Sequence, residues 1–119
     1  MKNAPERDVL NGCLRYLETR GIYHWRNNTG AVQIRPGQFM RFGKKGSSDI
    51  LGILPGGRLL AVETKAPNGR LSPEQKEFLD NARELGALAL VIKEGWWELD
   101  AALSEAGYAR RDMPLFKSP

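Results

Sequence analysis

Two short apolar segments separated by Pro55-Gly56-Gly57 constrain the fold of this chain more than any other feature. Residues 49–54 and 58–66 both have the composition of β-strands, and a proline-glycine sequence between two strands is a strong hairpin signal. The second segment contains Leu59-Leu60-Ala61-Val62, which is apolar at successive positions and is therefore expected to be buried on both faces. This pattern predicts a central strand in a sheet that is flanked by helices.

Helical patterns lie on both sides of this hairpin in the sequence. Residues 5–20 predict an amphipathic helix that starts at Pro5 and stops at Gly21. Residues 72–85 predict a second helix, in which Ser72 is the N-cap and Gln75 completes a capping box. The remaining predicted elements are strands at 22–27 and 87–93, a loop or irregular hairpin at 31–42, and a short helix at 100–106. The order predicts an α/β fold with an α-β-β-β-α-β core and a mixed central sheet.

The strand after the turn carries an acidic and a basic side chain, and their geometry depends on the loop length. Because side chains alternate along a strand, Glu63 and Lys65 share a face and Thr64 points to the other. If the loop is three residues long, Asp49 lies opposite Glu63, with their β-carbons roughly 5 Å apart. A two- or four-residue loop would place Asp49 opposite Thr64, with Glu63 on the wrong face. We predict the three-residue loop, which brings the two carboxylates together.

Paired carboxylates of this kind are typical of a cation site. At about 4 Å they repel each other by about 1 kcal/mol in bulk water, and several times more where water is scarce. A divalent cation offsets that repulsion, and hard cations bind carboxylate and carbonyl oxygens, so Asp49, Glu63 and the Thr64 main-chain carbonyl are candidate ligands. With Lys65 to position a nucleophile or stabilise developing charge, the set suits phosphodiester hydrolysis. The simpler alternative is an ordinary ion pair between Glu63 and Lys65.

Two further polar residues interrupt the apolar stripes of the predicted helices. Glu6 is in helical register with Leu10 and Cys13, and Gln75 is in register with Phe78. Each has a local alternative, because Glu6 suits the helix dipole and Gln75 suits the capping box. Both would reach the carboxylates only if their helices pack on that face of the sheet.

Basic residues are concentrated in the part of the chain that precedes Asp49. The net charge is +4, and residues 19–48 contain no acid. Such a stretch fits a polyanionic partner, although a solvated basic face has the same composition. The candidate contacts to DNA are Arg26, Arg35, Arg41, Lys44, Lys45, Ser48, Arg70 and Lys76.

Together these motifs resemble the VRR-NUC (virus-type replication-repair nuclease) family of the PD-(D/E)XK restriction-endonuclease-like superfamily. The resemblance covers roughly residues 5–95 and rests on Glu6, Gly46-Ser47-Ser48-Asp49, Val62-Glu63-Thr64-Lys65 and Leu71-Ser72-Pro73-Glu74-Gln75. It implies a restriction-endonuclease-like core, a metal site at Glu6, Asp49 and Glu63, catalysis by Lys65, and support from Gln75. Where the superfamily pattern has proline before the aspartate, this chain has Ser48.

The resemblance also carries expectations about ligands and partners. It implies Mg²⁺ or Mn²⁺ as cofactor and structured DNA, such as four-way junctions or flaps, as substrate in replication, recombination or repair. It further implies a homodimer. A non-catalytic DNA-binding module on the same fold and an RNA-directed nuclease are the alternatives. A binding module has no use for acids that face phosphates, so the carboxylates favour the nuclease.

Composition narrows the setting in which the chain is expected to work. A single cysteine, Cys13, excludes an intramolecular disulfide and a multi-thiolate zinc site. There is no apolar run of about 18 residues that would span a membrane and no secretory signal pattern, so a cytoplasmic protein is expected. We expect one domain at residues 1–108 and a loose tail at 109–119.

Overall fold

The computed structural model describes residues 5–108, which form three helices and six strands. In chain order the elements are α1 (Glu6–Arg20), β1 (Tyr23–Arg26), β2 (Gly30–Arg35), β3 (Gln38–Phe42), β4 (Ile50–Ile53), β5 (Leu59–Thr64), α2 (Pro73–Glu84), β6 (Leu88–Ile92) and α3 (Trp96–Glu105). The expected tail at 109–119 lies outside the described residues.

Four of the strands form a mixed sheet in the order β1-β4-β5-β6. Strand β4 is antiparallel to both of its neighbours, and β6 is parallel to β5 after a crossover through α2. This confirms the predicted α/β class and the α-β-β-β-α-β core. Strands β2 and β3 are an addition to that core, because they pair only with each other.

The turn between β4 and β5 has the predicted three-residue loop. Leu54 and Arg58 face each other, since the Leu54 N–H donates to the Arg58 carbonyl at 2.8 Å. Gly56 and Gly57 both have positive φ, at 89° and 91°, which side chains other than hydrogen rarely allow. The pairing of Ile50 with Val62 continues this register towards the site, so Asp49 lies opposite Glu63.

Helices cover both faces of the sheet, and β5 is buried between them. Helices α1 and α3 pack on one face against a cluster that includes Leu60 and Val62. Helix α2 packs on the other face against Ala61 and Ala89. Because side chains alternate along β5, the position of Glu63 is on the α2 face.

Strands β2 and β3 form a hairpin, here called the arm (residues 30–42), in which every strand residue is exposed. Its pairing shifts between Gln33 and Arg35, so the prediction of an irregular hairpin at this position is confirmed. Val32 pairs with Met40, and one residue along the strand, Gln33 pairs with Phe39. The two faces of the arm therefore differ, and neither is covered by the sheet.

The last helix begins earlier than the sequence predicted. It starts at Trp96, after the N-cap Gly95, rather than at residue 100. The Glu98 carboxylate accepts hydrogen bonds from the main-chain N–H groups of Lys93 and Glu94, at 2.9 and 2.7 Å, and so caps this start. None of the helices described in residues 5–108 has the length and apolar character that a membrane crossing requires.

Candidate active site

The two acids meet where β5 emerges from the middle of the sheet. Glu63 is the next-to-last residue of β5 and is 2% exposed, and Asp49 directly precedes β4. The apolar residues before Glu63 form the strand that brings it there, since they bury both faces of β5. The register predicted from the loop places the two carboxylates side by side.

Asp49 is held by the end of β5 through one of its oxygens. Its Oδ2 accepts hydrogen bonds from the Thr64 main-chain N–H at 2.8 Å and from the Thr64 hydroxyl at 2.9 Å. The hydroxyl contact was not expected, because side-chain alternation directs Thr64 to the other face. Neither of these hydrogen bonds involves Oδ1, which leaves that oxygen for a partner other than Thr64.

Glu63 has the same division between an engaged and a free oxygen. Its Oε2 accepts a hydrogen bond from Gln75 Nε2 at 2.9 Å and lies 3.9 Å from Lys65 Nζ. Its Oε1 is buried and has no hydrogen-bond partner among the described residues. Burial, followed by the nearby Asp49 carboxylate, raises the pKa of Glu63 to about 8, against a smaller lowering by Lys65.

Gln75 performs both of the roles that the sequence suggested as alternatives. Its Oε1 accepts from the Ser72 main-chain N–H at 2.9 Å, and its own main-chain N–H donates to the Ser72 hydroxyl at 3.1 Å, which completes the capping box. The same amide group then points Nε2 at Glu63. The cap fixes which end of the amide faces the carboxylate, because Oε1 is already used as an acceptor.

Glu6 is not brought into this group as closely as the sequence suggested. It lies in the first turn of α1, which packs on the face opposite to α2, and it is exposed. It contributes the smallest of the named causes that raise the pKa of Glu63. Within residues 5–108, no three His, Cys, Asp or Glu side chains converge closely enough to hold a metal ion. A metal-binding role for Glu6 therefore stays a prediction.

The residues present nevertheless fit a divalent cation. The hydrogen bonds from Thr64 and Gln75 each leave one oxygen of a carboxyl group, and the Glu63 oxygen is buried without a hydrogen-bond partner among residues 5–108. A buried acceptor without a partner costs about 1–3 kcal/mol. Hard oxygen donors are the ligands that magnesium prefers, so a cation between the acids would offset both their repulsion and this cost.

The predicted DNA-contacting residues divide into an exposed basic group and one exception. The basic residues Arg26, Arg35, Arg41, Lys44, Lys45, Arg70 and Lys76 are all exposed. Ser48 has no exposed surface, and its hydroxyl is buried without a hydrogen-bond partner among residues 5–108. A contact of Ser48 with DNA stays a prediction.

Two of these lysines already have acidic neighbours on α2. Lys45 Nζ lies 3.0 Å from Glu74, and its hydrogen bond and charge lower the pKa of that carboxyl. Lys76 Nζ lies 3.3 Å from Asp80. Both pairs are exposed, so they contribute little to stability.

One residue beside the acids was missed by the sequence analysis. Asn27 is the last residue of the predicted strand 22–27 and was not assigned to the site, but the pairing of Arg26 with Ile50 continues to place it opposite Asp49. Its main-chain N–H donates to the Asp49 carbonyl at 2.7 Å. No local pattern signals this contact, because it depends on the pairing of two strands that are distant in sequence.

Comparison with known proteins identifies a family for most of the chain. The family model of the VRR-NUC domain matches residues 13–94, which is more than half of the chain. The matched segment contains Asp49, Glu63, Lys65 and Gln75, and it begins after Glu6. No curated protein matches the chain.

Proposed function

Because the chain belongs to the VRR-NUC domain family, and so contains a nuclease domain that processes DNA, we propose that it is a metal-dependent endonuclease. Its proposed substrates are structured DNAs such as four-way junctions or flaps, cut during replication, recombination or repair. The observation that carries the proposal is the buried, unpartnered Oε1 of Glu63 beside Asp49. Two neighbouring carboxyl groups, one of them with a buried oxygen that has no hydrogen-bond partner among residues 5–108, suit a cation that approaches a phosphate next to a lysine.

Asp49 and Glu63 are the proposed ligands of Mg²⁺ or Mn²⁺, together with the main-chain carbonyl of Thr64 and, from α1, Glu6. In a β-strand the N–H and C=O of one residue point to the same side, so the Thr64 carbonyl is directed to the side on which its N–H meets Asp49. The bound cation would activate a water molecule and polarise the phosphate.

The other side chains orient the acids and supply positive charge. Thr64 donates to Oδ2 of Asp49, and Gln75 donates to Oε2 of Glu63. Each carboxylate is therefore held by one oxygen, and the other oxygen is left for the cation. Lys65 lies on the face of Glu63, and its side chain is 15% exposed, which lets the ammonium group meet a phosphate oxygen while it remains close to Glu63. We assign Lys65 to the stabilisation of developing negative charge or to positioning of the nucleophile.

Cleavage assays test this function directly. Duplex, flap and four-way-junction DNA are incubated with the protein in Mg²⁺, Mn²⁺ or EDTA. We expect cleavage in either metal, none in EDTA, and a rate about 100-fold or more lower in Lys65→Ala. Lys93→Ala is the matched control, because Lys93 is an exposed lysine that follows the neighbouring strand β6. Cutting in EDTA, or a Lys65→Ala protein as active as the parent, would contradict the proposal.

The proposed DNA contacts are made by the exposed basic residues on the arm, on the loop before Asp49 and near α2. The logarithm of the affinity should fall with the logarithm of salt concentration, with a slope of about −0.9 for each phosphate that is neutralised. Arg41→Ala should make this slope shallower by about 0.9. An affinity that does not change with salt concentration would remove this part of the proposal.

We also propose that the protein is a homodimer, and the arm supports this. Val32, Met40 and Phe42 are 50%, 56% and 47% exposed and lie on one face by their pairing, while Arg41 lies on the other. An apolar face of this kind on an isolated two-stranded hairpin is typical of a protein interface. A dimer formed through this apolar face would leave Arg41, on the opposite face, open to DNA.

Two neighbouring substitutions in β3 distinguish the faces. Met40→Glu should convert the dimer to a monomer in sedimentation or light-scattering measurements. Phe39→Glu places the same charge on the opposite face, at a residue that is 64% exposed, and should leave the mass unchanged. A monomeric parent protein, or an equal effect of both variants, would contradict an interface on the Met40 face.

A further inference from the structure

Asn27 donates three hydrogen bonds to three consecutive residues of the loop that precedes β4. Its main-chain N–H donates to the Asp49 carbonyl at 2.7 Å. Its side-chain Nδ2 donates to the Ser47 hydroxyl oxygen at 2.7 Å and to the Ser48 carbonyl at 2.9 Å. A single residue at the end of β1 therefore fixes the chain immediately before and at Asp49.

The loop held in this way has no regular structure of its own. Ser47 closes a turn, because its N–H and its hydroxyl both donate to the Lys44 carbonyl, at 3.0 and 2.7 Å. On its other side, Gly46 lies so close to α2 that an added β-carbon would be 2.5 Å from the Glu74 carbonyl group. The loop is thus held between α2 and Asn27, and Asn27 is the contact nearest to the acid.

Asp49 is consequently fixed from both neighbouring strands. Its carboxylate accepts from Thr64 at the end of β5, and its carbonyl accepts from Asn27 at the end of β1. We infer that Asn27 is a positioning residue of the active site, which sets the place of the Asp49 carboxylate through the backbone of the loop. The inference rests on the proposed role of Asp49 in the nuclease.

The chemistry of the contacts explains why this residue is an asparagine. Any residue except proline could supply the main-chain N–H, so the side chain is what distinguishes Asn27. Two simultaneous donors on a short, uncharged side chain require the carboxamide, whereas serine has one donor and aspartate has none when ionised. The Ser48 carbonyl only accepts, so it also fixes which end of the amide faces it.

The experiment compares Asn27→Ala with Asn28→Ala. Asn28 is the exposed neighbour, and its side chain makes no hydrogen bond to any residue among 5–108. We measure the affinity for Mn²⁺ by titration calorimetry, kcat and KM on the cleaved DNA, and hydrogen exchange of the Thr64 amide. Asn27→Ala should weaken Mn²⁺ binding and lower kcat by about 10-fold to 100-fold, with a smaller change in KM. Asn28→Ala should behave as the parent does.

The Thr64 amide gives a readout that is independent of cleavage. That N–H donates to the Asp49 carboxylate, so it should exchange faster in Asn27→Ala, while the amide of Val62 within β5 should exchange as in the parent. A parent protein that does not cut DNA would overturn the proposed function. The exchange of the Thr64 amide would still test whether Asn27 positions Asp49.

A second variant covers the case in which Asn27→Ala does not fold. Ser47→Ala removes one acceptor of the Asn27 amide and keeps the bond to the Ser48 carbonyl, so it should shift the same readouts in the same direction by less. Folding of each variant is followed by thermal unfolding. Parent-like Mn²⁺ affinity and Thr64 exchange in a folded Asn27→Ala, or in Ser47→Ala if Asn27→Ala is unfolded, would overturn the inference.

Discussion

Strand β5 and the arm are both β-structure with a high content of apolar residues, yet they occupy opposite environments. From Leu60 to Thr64 every residue of β5 is buried, whereas every strand residue of the arm is exposed. The difference lies in their neighbours, because β5 has a strand on each side and helices on each face, and the arm has only its own hairpin partner. Apolar composition alone therefore does not decide burial. In this molecule the neighbouring strands and helices bury the strand that holds Glu63 and leave the arm exposed to other molecules.

The largest expected effect concerns the acid that is buried within β5. The folded state raises the pKa of Glu63 to about 8 from an ordinary value of 4.5, so the folded chain keeps a proton that the unfolded chain loses. In EDTA the contribution of Glu63 to the free energy of unfolding should be fully present below pH 4.5 and be lost, by a few kcal/mol, as the pH rises through about 8. Urea unfolding across this range measures the loss.

Glu63→Gln provides the control for that pH dependence. The amide does not ionise, so the variant should lose less stability than the parent between pH 4.5 and about 8. At the high end of this pH range, Mg²⁺ or Mn²⁺ should restore the stability of the parent but not that of the variant. If the free energy of unfolding depended on pH in the same way in both proteins, the ionisation of Glu63 would not be the cause of the loss.

A matched pair of valines tests the contrast between β5 and the arm more directly. Val62 is completely buried and Val32 is 50% exposed. Val62→Ala should lower the free energy of unfolding by about 2 kcal/mol, because it removes buried methyl groups and leaves a cavity. Val32→Ala should change it by about 0.5 kcal/mol or less in the monomer.

The concentration dependence of the Val32→Ala effect separates two explanations. If the arm buries this face against a second copy, the cost should grow at protein concentrations where the dimer forms. A cost as large as that of Val62→Ala at every concentration would mean that the arm is not exposed in the single chain.

Effects smaller than that of Val62→Ala are expected in the first turn of α2, which connects the helix to the acids. Ser72→Ala and Gln75→Ala should each lower stability by about 1 kcal/mol, because each removes part of the capping box. Only Gln75→Ala also removes the hydrogen bond to Glu63, so only this variant should lower kcat, by about 10-fold. If the two variants were equally active, the role of Gln75 would be limited to the capping box.

Features that depend on neighbouring residues could be predicted from the sequence. The Pro55-Gly56-Gly57 loop determined the register of β4 and β5, and the capping residues located the start of α2. Both rest on interactions that span only a few residues. The pairing of Asp49 with Glu63 followed from the first of them, and the shared face of Glu63 and Lys65 followed from the alternation of side chains along one strand.

Features that depend on the packing of distant segments could not be predicted. The contact of Asn27 with the loop before Asp49, and the burial of Ser48, arise when β1 pairs with β4. The position of Glu6 depends on which face of the sheet receives α1, and the stripe of that helix does not contain this information. The exposure of the arm was equally hidden, because its alternation would also suit a strand within the sheet.

The double use of Gln75 links the site to the order in which the molecule forms. Its amide can point Nε2 at Glu63 only while the Ser72 N–H holds Oε1, and that bond exists only when the first turn of α2 is wound. In a chain in which this turn has not formed, Glu63 lacks the hydrogen bond from Gln75. On the proposed function, a chain in which this first turn is unwound is therefore expected to cut DNA more slowly than the folded protein.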